Sequence, residues 1–160
     1  MPRLSHVARD GSVRMVDVAG KPVTQRTAVA QAEVRMQAKA LALVKRGAMK
    51  KGDVLVAAQL AGILAAKRTS QIIPLCHPLA LTHVDVTCTI EGRNTIRVRC
   101  AAACSGQTGV EMEALTGAAV AALTIYDMCK SADRSISIDR LQLLEKEGGK
   151  SGRFQRNARG

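Results

Sequence analysis

The stretch VLVAAQLAGILAA (54–66) constrains this chain most: Gln59 is its one polar residue, so a helix built from it is apolar almost all round and needs covering on several sides. Asp53 offers that helix an N-cap, and Lys67 with Arg68 a basic end. A second segment, from Val110 to about Ser131, is rich in alanine and reads as a long helix. Two runs of period two, Val84–Val86–Cys88–Ile90 and Ile96–Val98–Cys100–Ala102, are joined by EGRN (91–94) and predict a hairpin with one apolar face. With one Phe, one Tyr and no Trp, the core must be assembled from Ala, Val, Leu, Ile and Met.

Elsewhere the signals are local. VRMVDV (13–18) has strand composition and GKP (20–22) ends it. Thr24 then caps a predicted helix running to about Val44, with Ala28, Ala32, Met36, Ala40 and Leu43 spaced for one face, and Gly47 stops it. SISIDRLQLLEKE (135–147) reads as a last strand with an irregularity near Asp139. The order is strand, helix, helix, strand, strand, helix, strand. With one early helix set aside, this predicts an α+β chain with a ferredoxin-like antiparallel sheet and helices packed on one face.

The 160 residues suit one domain, 1–160, with residues 1–12 mobile and the tail 148–160 mobile unless a ligand orders it. No apolar run reaches 18 residues and MPRLSHVARDG (1–11) has no apolar core, so neither a membrane span nor a signal peptide is expected, and the location is cytoplasmic. Five cysteines without a CxxC pair predict buried apolar thiols, with no disulfide framework and no metal site.

A net charge of +11 favours an anionic partner. Residues 1–52 carry 11 basic and 3 acidic side chains, whereas residues 111–130 reverse the balance with 1 and 3. That acidic stretch is either a solvated helix face or the proton-handling part of a site whose basic part binds phosphate.

Within it, Glu113 and Asp127 lie 14 residues apart and so return to one helix face about four turns apart. Lys130 sits beside Asp127 at i+3; by itself such a pair is as readily an ordinary surface ion pair, but it ends an otherwise uncharged stretch and so reads as the polar exception of a buried helix, a setting suited to general acid–base work. Glu111, two residues before Glu113, should point to a different face. Leu75, Cys76 and His77 are bracketed by Pro74 and Pro78 in a stiff extended loop, which favours a histidine preset for a ligand over a purely structural one. Lys50 and Lys51 stand at the mouth of the second helix, where amide groups favour an anion. GGKSG (148–152) lacks the first glycine of a Walker loop, yet Lys150 and nearby amides can clamp phosphate.

KKGDV (50–54), AGILAAKRT (61–69), IPLCHPL (73–79), TGVEMEALT (108–116), ALTIYDMCK (122–130) and GGKSG, together with LSH (4–6) and MVDV (15–18), resemble the cyclic pyranopterin monophosphate synthases of molybdenum-cofactor biosynthesis. The resemblance spans nearly the whole chain. It implies a lyase that converts (8S)-3′,8-cyclo-7,8-dihydroguanosine 5′-triphosphate, made by a preceding radical S-adenosylmethionine enzyme, to cyclic pyranopterin monophosphate with release of pyrophosphate. It implies a homohexamer, a trimer of dimers, with sites at subunit interfaces.

Carried over by motif, Asp127, Lys51 and Lys130 are catalytic, while Leu75, Cys76, His77, Met112 and Glu113 line the substrate, joined by Glu111, Lys67 and Lys150. On this scheme Lys51, Lys67 and Lys150 hold phosphates, Asp127 with Lys130 moves protons, and His77 with Glu113 positions the base. No redox cofactor and no metal ligand is expected; magnesium accompanying the triphosphate is left open. Two other classes stand beside it. A nucleic-acid module fits the basic N-terminal half but lacks aromatic platforms, and a non-catalytic assembly subunit would keep its role after Asp127→Asn. Neither a nucleic acid nor a membrane is expected as partner.

Overall fold

A computed structural model describes residues 6–8, 10–49 and 51–157. Lys50 and residues 1–5 of the N-terminal segment lie outside them. Strand β1 (Thr24–Arg35) is followed by helices α1 (Ala38–Lys45), α2 (Val54–Ala66) and the single turn α3 (Thr69–Ile72). Strands β2 (Leu81–Glu91) and β3 (Thr95–Gly106), helix α4 (Glu111–Cys129), strand β4 (Ser137–Glu147) and the short β5 (Phe154–Gln155) complete the chain.

The strands form one antiparallel sheet in the order β2-β3-β1-β4-β5, whose first four members have the ferredoxin-like arrangement. Helix α4 packs on β1, β3 and β4, and α2 lies beside it over β2. Along β1, Ala28, Ala30, Ala32 and Val34 are buried, opposite Val98, Cys100 and Ala102 of β3. Burial pushes the Cys100 thiol up to about 12 and Cys88 and Cys129 to about 11, so these groups stay neutral and pack as apolar side chains. All five cysteines are free.

Three sequence expectations are corrected. The helix expected over Thr24–Val44 is a strand to Arg35 and a helix only from Ala38. A four-residue spacing such as Ala28, Ala32, Met36 serves two strand periods as well as one helical turn, and pairing with β3 on one side and β4 on the other decides for the strand. The strand expected at Val13–Val18 makes only an isolated bridge, Val7 to Val13; the segment instead lies against the 73–80 loop. Helix α2 is not covered all round: Val56 and Leu60 are each 58 % exposed and Leu64 42 %.

Other expectations hold. The Asp53 carboxylate accepts from the amides of Leu55 (2.9 Å) and Val56 (3.1 Å), and Gln59 Nε2 donates to the Val86 carbonyl at 2.9 Å, tying the one polar residue of α2 to β2. The hairpin turns at Gly92, and β4 is irregular where Asp139 pairs with Glu33, with Arg140 at φ 50°. No helix of the described residues is long and apolar enough to cross a membrane.

Candidate active site

Pro74 and Pro78 hold residues 73–80 out of regular structure, so this loop crosses the N-terminal end of α4 as an extended wall. There Leu75, Cys76, His77, Met112 and Glu113 surround a cavity of about 370 Å³. His77 Nε2 donates to the Val16 carbonyl at 2.8 Å, which holds segment 13–18 over the cavity; in the neutral ring this leaves Nδ1 as the acceptor. His6, the histidine of the LSH motif, and Lys21 also reach the cavity wall, and the sequence assigns a site role to neither. No local signal marks them, because the segment from 6 to 21 joins the site by folding back across some 60 residues of chain, as the His77–Val16 contact does over 61.

Glu113 is 4 % exposed, and its carboxyl is raised above 4.5 by burial, with Glu111 adding to the effect. Burial therefore favours its protonated form more than for a free carboxylate. Glu111, expected on another face, lines the same cavity, because the cavity wraps the end of α4 where residues of several faces converge. Its carboxylate lies over Gly109, where a β-carbon would collide with Oε2. The Cys76 thiol is raised by burial and then by the Glu113 carboxylate, which keeps it a neutral lining group.

Lys51, Asp127 and Lys130 meet at the opposite end of α4. Asp127 Oδ2 is 2.7 Å from Lys51 Nζ and Oδ1 is 2.6 Å from Lys130 Nζ. The expectation of a buried pair is corrected: all three side chains are a little over half exposed. Hydrogen bonds from Lys130 and then Lys51 hold the Asp127 carboxyl down to about 2, while Asp127 raises Lys130. Asp127 is thus an anion at neutral pH and Lys130 a cation.

Lys67 lines a neighbouring groove that shares Leu79 with the main cavity, and Lys150 is exposed in the turn between β4 and β5. The structure therefore gathers the predicted residues into two groups. Glu113 and Asp127 stand 14 residues apart on α4, which at 1.5 Å per residue separates the two groups by about 21 Å. Among the described residues no group of three His, Cys, Asp or Glu is placed to hold a metal ion.

The sequence that builds this loop-walled cavity, the Lys–Asp–Lys cluster and the ferredoxin-like sheet matches a known family model over residues 15–149. The chain belongs to the MoaC family, an enzyme family of molybdenum-cofactor biosynthesis.

Proposed function

We propose that the protein is the cyclic pyranopterin monophosphate synthase of this pathway, a pyrophosphate-releasing lyase acting on the cyclised dihydroguanosine triphosphate supplied by a radical S-adenosylmethionine enzyme. Turning a triphosphate into a cyclic monophosphate requires a substrate hydroxyl to attack the α-phosphorus while the bond to the outer two phosphates breaks. One proton passes from the hydroxyl to solvent, and the departing pyrophosphate gains negative charge that cations must meet. Lys51 and Lys130, both on the Asp127 carboxylate, supply ammonium groups to meet that charge, and Glu113 with His77 offers proton and hydrogen-bond contacts for the pterin ring. Lys67 and Lys150 add positive charge along the phosphate path.

The observation that supports this reading is the separation of the two groups by about 21 Å, too far for one substrate in one chain. Between them the outer surface of α2 and α4 exposes Val56, Leu60, Leu64 and Leu123. Helices α2 and α4 run antiparallel, since Lys51 at the start of α2 meets Asp127 near the end of α4, and Gly62 meets Gly117. A second copy packed across this apolar face about a two-fold axis brings the Lys–Asp–Lys cluster of each chain to the cavity of the other, giving two complete sites. Such dimers are the units from which a hexamer is assembled.

The test is complementation between inactive variants. Asp127→Asn and Glu113→Gln should each lose pyrophosphate release and pterin formation from the cyclised triphosphate. Co-assembled in equal amounts, they should regain up to about a quarter of native activity, because half the dimers are mixed and each then has one intact site. Mixtures that stay inactive would place all catalytic groups within one chain, and a native protein that releases no pyrophosphate would remove the assigned reaction.

A further inference from the structure

The helix-free face of the sheet carries a cavity of about 410 Å³, larger than the one beside Glu113, and its wall is built from arginines. Arg97 and Arg99 project from β3, Arg140 from the irregularity in β4, and Arg156 follows β5. The four come from three separate segments that only the antiparallel sheet brings side by side.

Two of them are held by carboxylates. Glu33, 4 % exposed on β1, pairs with Arg97 at 3.2 Å and Arg140 at 3.9 Å, and Glu91 takes the other end of Arg97 at 2.9 Å. Arg97 Nε is nevertheless buried without a hydrogen-bond partner. Arg140 reaches Glu33 from a left-handed backbone, φ 50°, a conformation rare outside glycine and one that turns the side chain toward the cavity.

The other two guanidiniums lack this neutralisation. Among the described residues neither Arg99 nor Arg156 has a carboxylate within ion-pair distance. Arg156 is fixed all the same: its Nε donates to the Leu143 carbonyl at 2.8 Å, its amide donates to the Leu144 carbonyl at 2.7 Å, and its guanidinium stands 6.0 Å from the centre of the Phe154 ring. The remaining N–H groups of a fixed guanidinium form a planar fork that suits phosphate oxygens. Glu145 and the Gln142 amide close the wall, so four guanidiniums face one carboxylate there and the lining keeps a net positive charge.

A second copy of this face is a poor occupant, because it would set arginine against arginine. No aromatic side chain lines the cavity, so it offers no platform for stacking bases of a nucleic acid. We propose that this arginine cavity is a binding site for a diphosphate group, either free pyrophosphate or the phosphate end of a nucleoside diphosphate, on the sheet face opposite α2 and α4. The site stands independently of the reaction proposed above, since it is read out by binding.

The experiment is calorimetric titration of the full chain at physiological salt with pyrophosphate, ADP and orthophosphate as probes. Pyrophosphate should bind the doubly substituted Lys51→Gln/Lys130→Gln protein as it binds the native one at this site, and should bind Arg99→Gln/Arg156→Gln about tenfold or more weakly. Equal binding of ADP identifies the diphosphate as the recognised group, and binding of pyrophosphate alone identifies the free ion; both support the site. Loss of all binding in the lysine variant, or native binding in the arginine variant, would overturn it, as would tight oligonucleotide binding at these arginines without any for pyrophosphate. Should the glutamine variant not fold, the arginine Nε–H resonances of the native protein decide. Shifts of Arg99 and Arg156 on adding pyrophosphate support the site, and unmoved resonances overturn it.

Discussion

The Lys51 ammonium sits 2.7 Å from the Asp127 carboxylate across 76 residues of sequence, and so pins the entrance of α2 to the exit of α4. Lys130 occupies the second carboxylate oxygen, so one anion separates two cations and the cluster keeps a net positive charge for an incoming phosphate.

Asp127 should titrate far below an ordinary carboxylate, at about 2, when followed by carboxyl carbon NMR. Its folded value lies below the unfolded one, so its contribution to stability is present above the unfolded value and disappears as pH falls toward about 2. Lys51→Ala should raise the midpoint toward 3.8, the ordinary value, without reaching it because Lys130 remains. A midpoint unmoved by that change would show that the 2.7 Å contact does not persist in solution.

Glu113 has the opposite sign. Burial makes the folded chain bind this proton more tightly than the unfolded chain, so the associated stability is full below 4.5 and is lost as pH rises through the raised folded value. Glu113→Gln keeps the neutral form at every pH, and should stabilise the chain above that range and flatten its pH profile in thermal unfolding. If the variant were less stable than native at neutral pH, the buried carboxylate would have to be charged and paired.

His77→Ala removes the partner of the Val16 carbonyl. Amides of residues 16–18 should exchange faster with solvent, and KM should rise by about threefold to tenfold with a smaller change in kcat, the size expected for one hydrogen bond. A fall confined to kcat would instead place the imidazole in the chemical step.

Leu60 is 58 % exposed, so Leu60→Glu leaves the isolated subunit folded. Sedimentation velocity should nevertheless show smaller assemblies, and activity should fall with them, because a charge then lies in the apolar face proposed to join two copies. An assembly unaffected by Leu60→Glu would put the two-fold axis on another surface.

Gly117→Ala tests how closely the helices cross. Alanine is intrinsically better in a helix by about 1 kcal/mol. Here its β-carbon would stand 2.5 Å from Cys100 Sγ and 3.1 Å from the Gly62 carbonyl oxygen, so overpacking should outweigh the gain and destabilise by about 1–3 kcal/mol in urea unfolding. Adding Cys100→Ala should recover part of the loss; if it recovers none, the Gly62 backbone is the obstacle.

Much of this architecture is legible in local pattern. The Asp53 cap, the apolar α2, the β2–β3 hairpin and α4 all follow from signals spanning a few residues, and periodicity alone puts Glu113 and Asp127 on one helix. Family motifs name Lys51, His77 and Cys76, which no spacing rule would have grouped.

Three features belong to the tertiary structure. β1 is a strand because its backbone finds partners in β3 and β4, which lie about 60 and 100 residues further along the chain, as in the pairs Val34–Ile96 and Val34–Ile138; its own alanines are as compatible with a helix. Lys21 and His6 reach the cavity because segment 6–21 docks on His77, a contact without local signature. The proton affinities of Asp127 and Glu113 differ because one carboxylate lies exposed between two lysines and the other is buried. Sequence pattern carries local preference and face, whereas pairing partners, burial and charge environment arise only when distant segments meet, and those decide what each carboxylate can do.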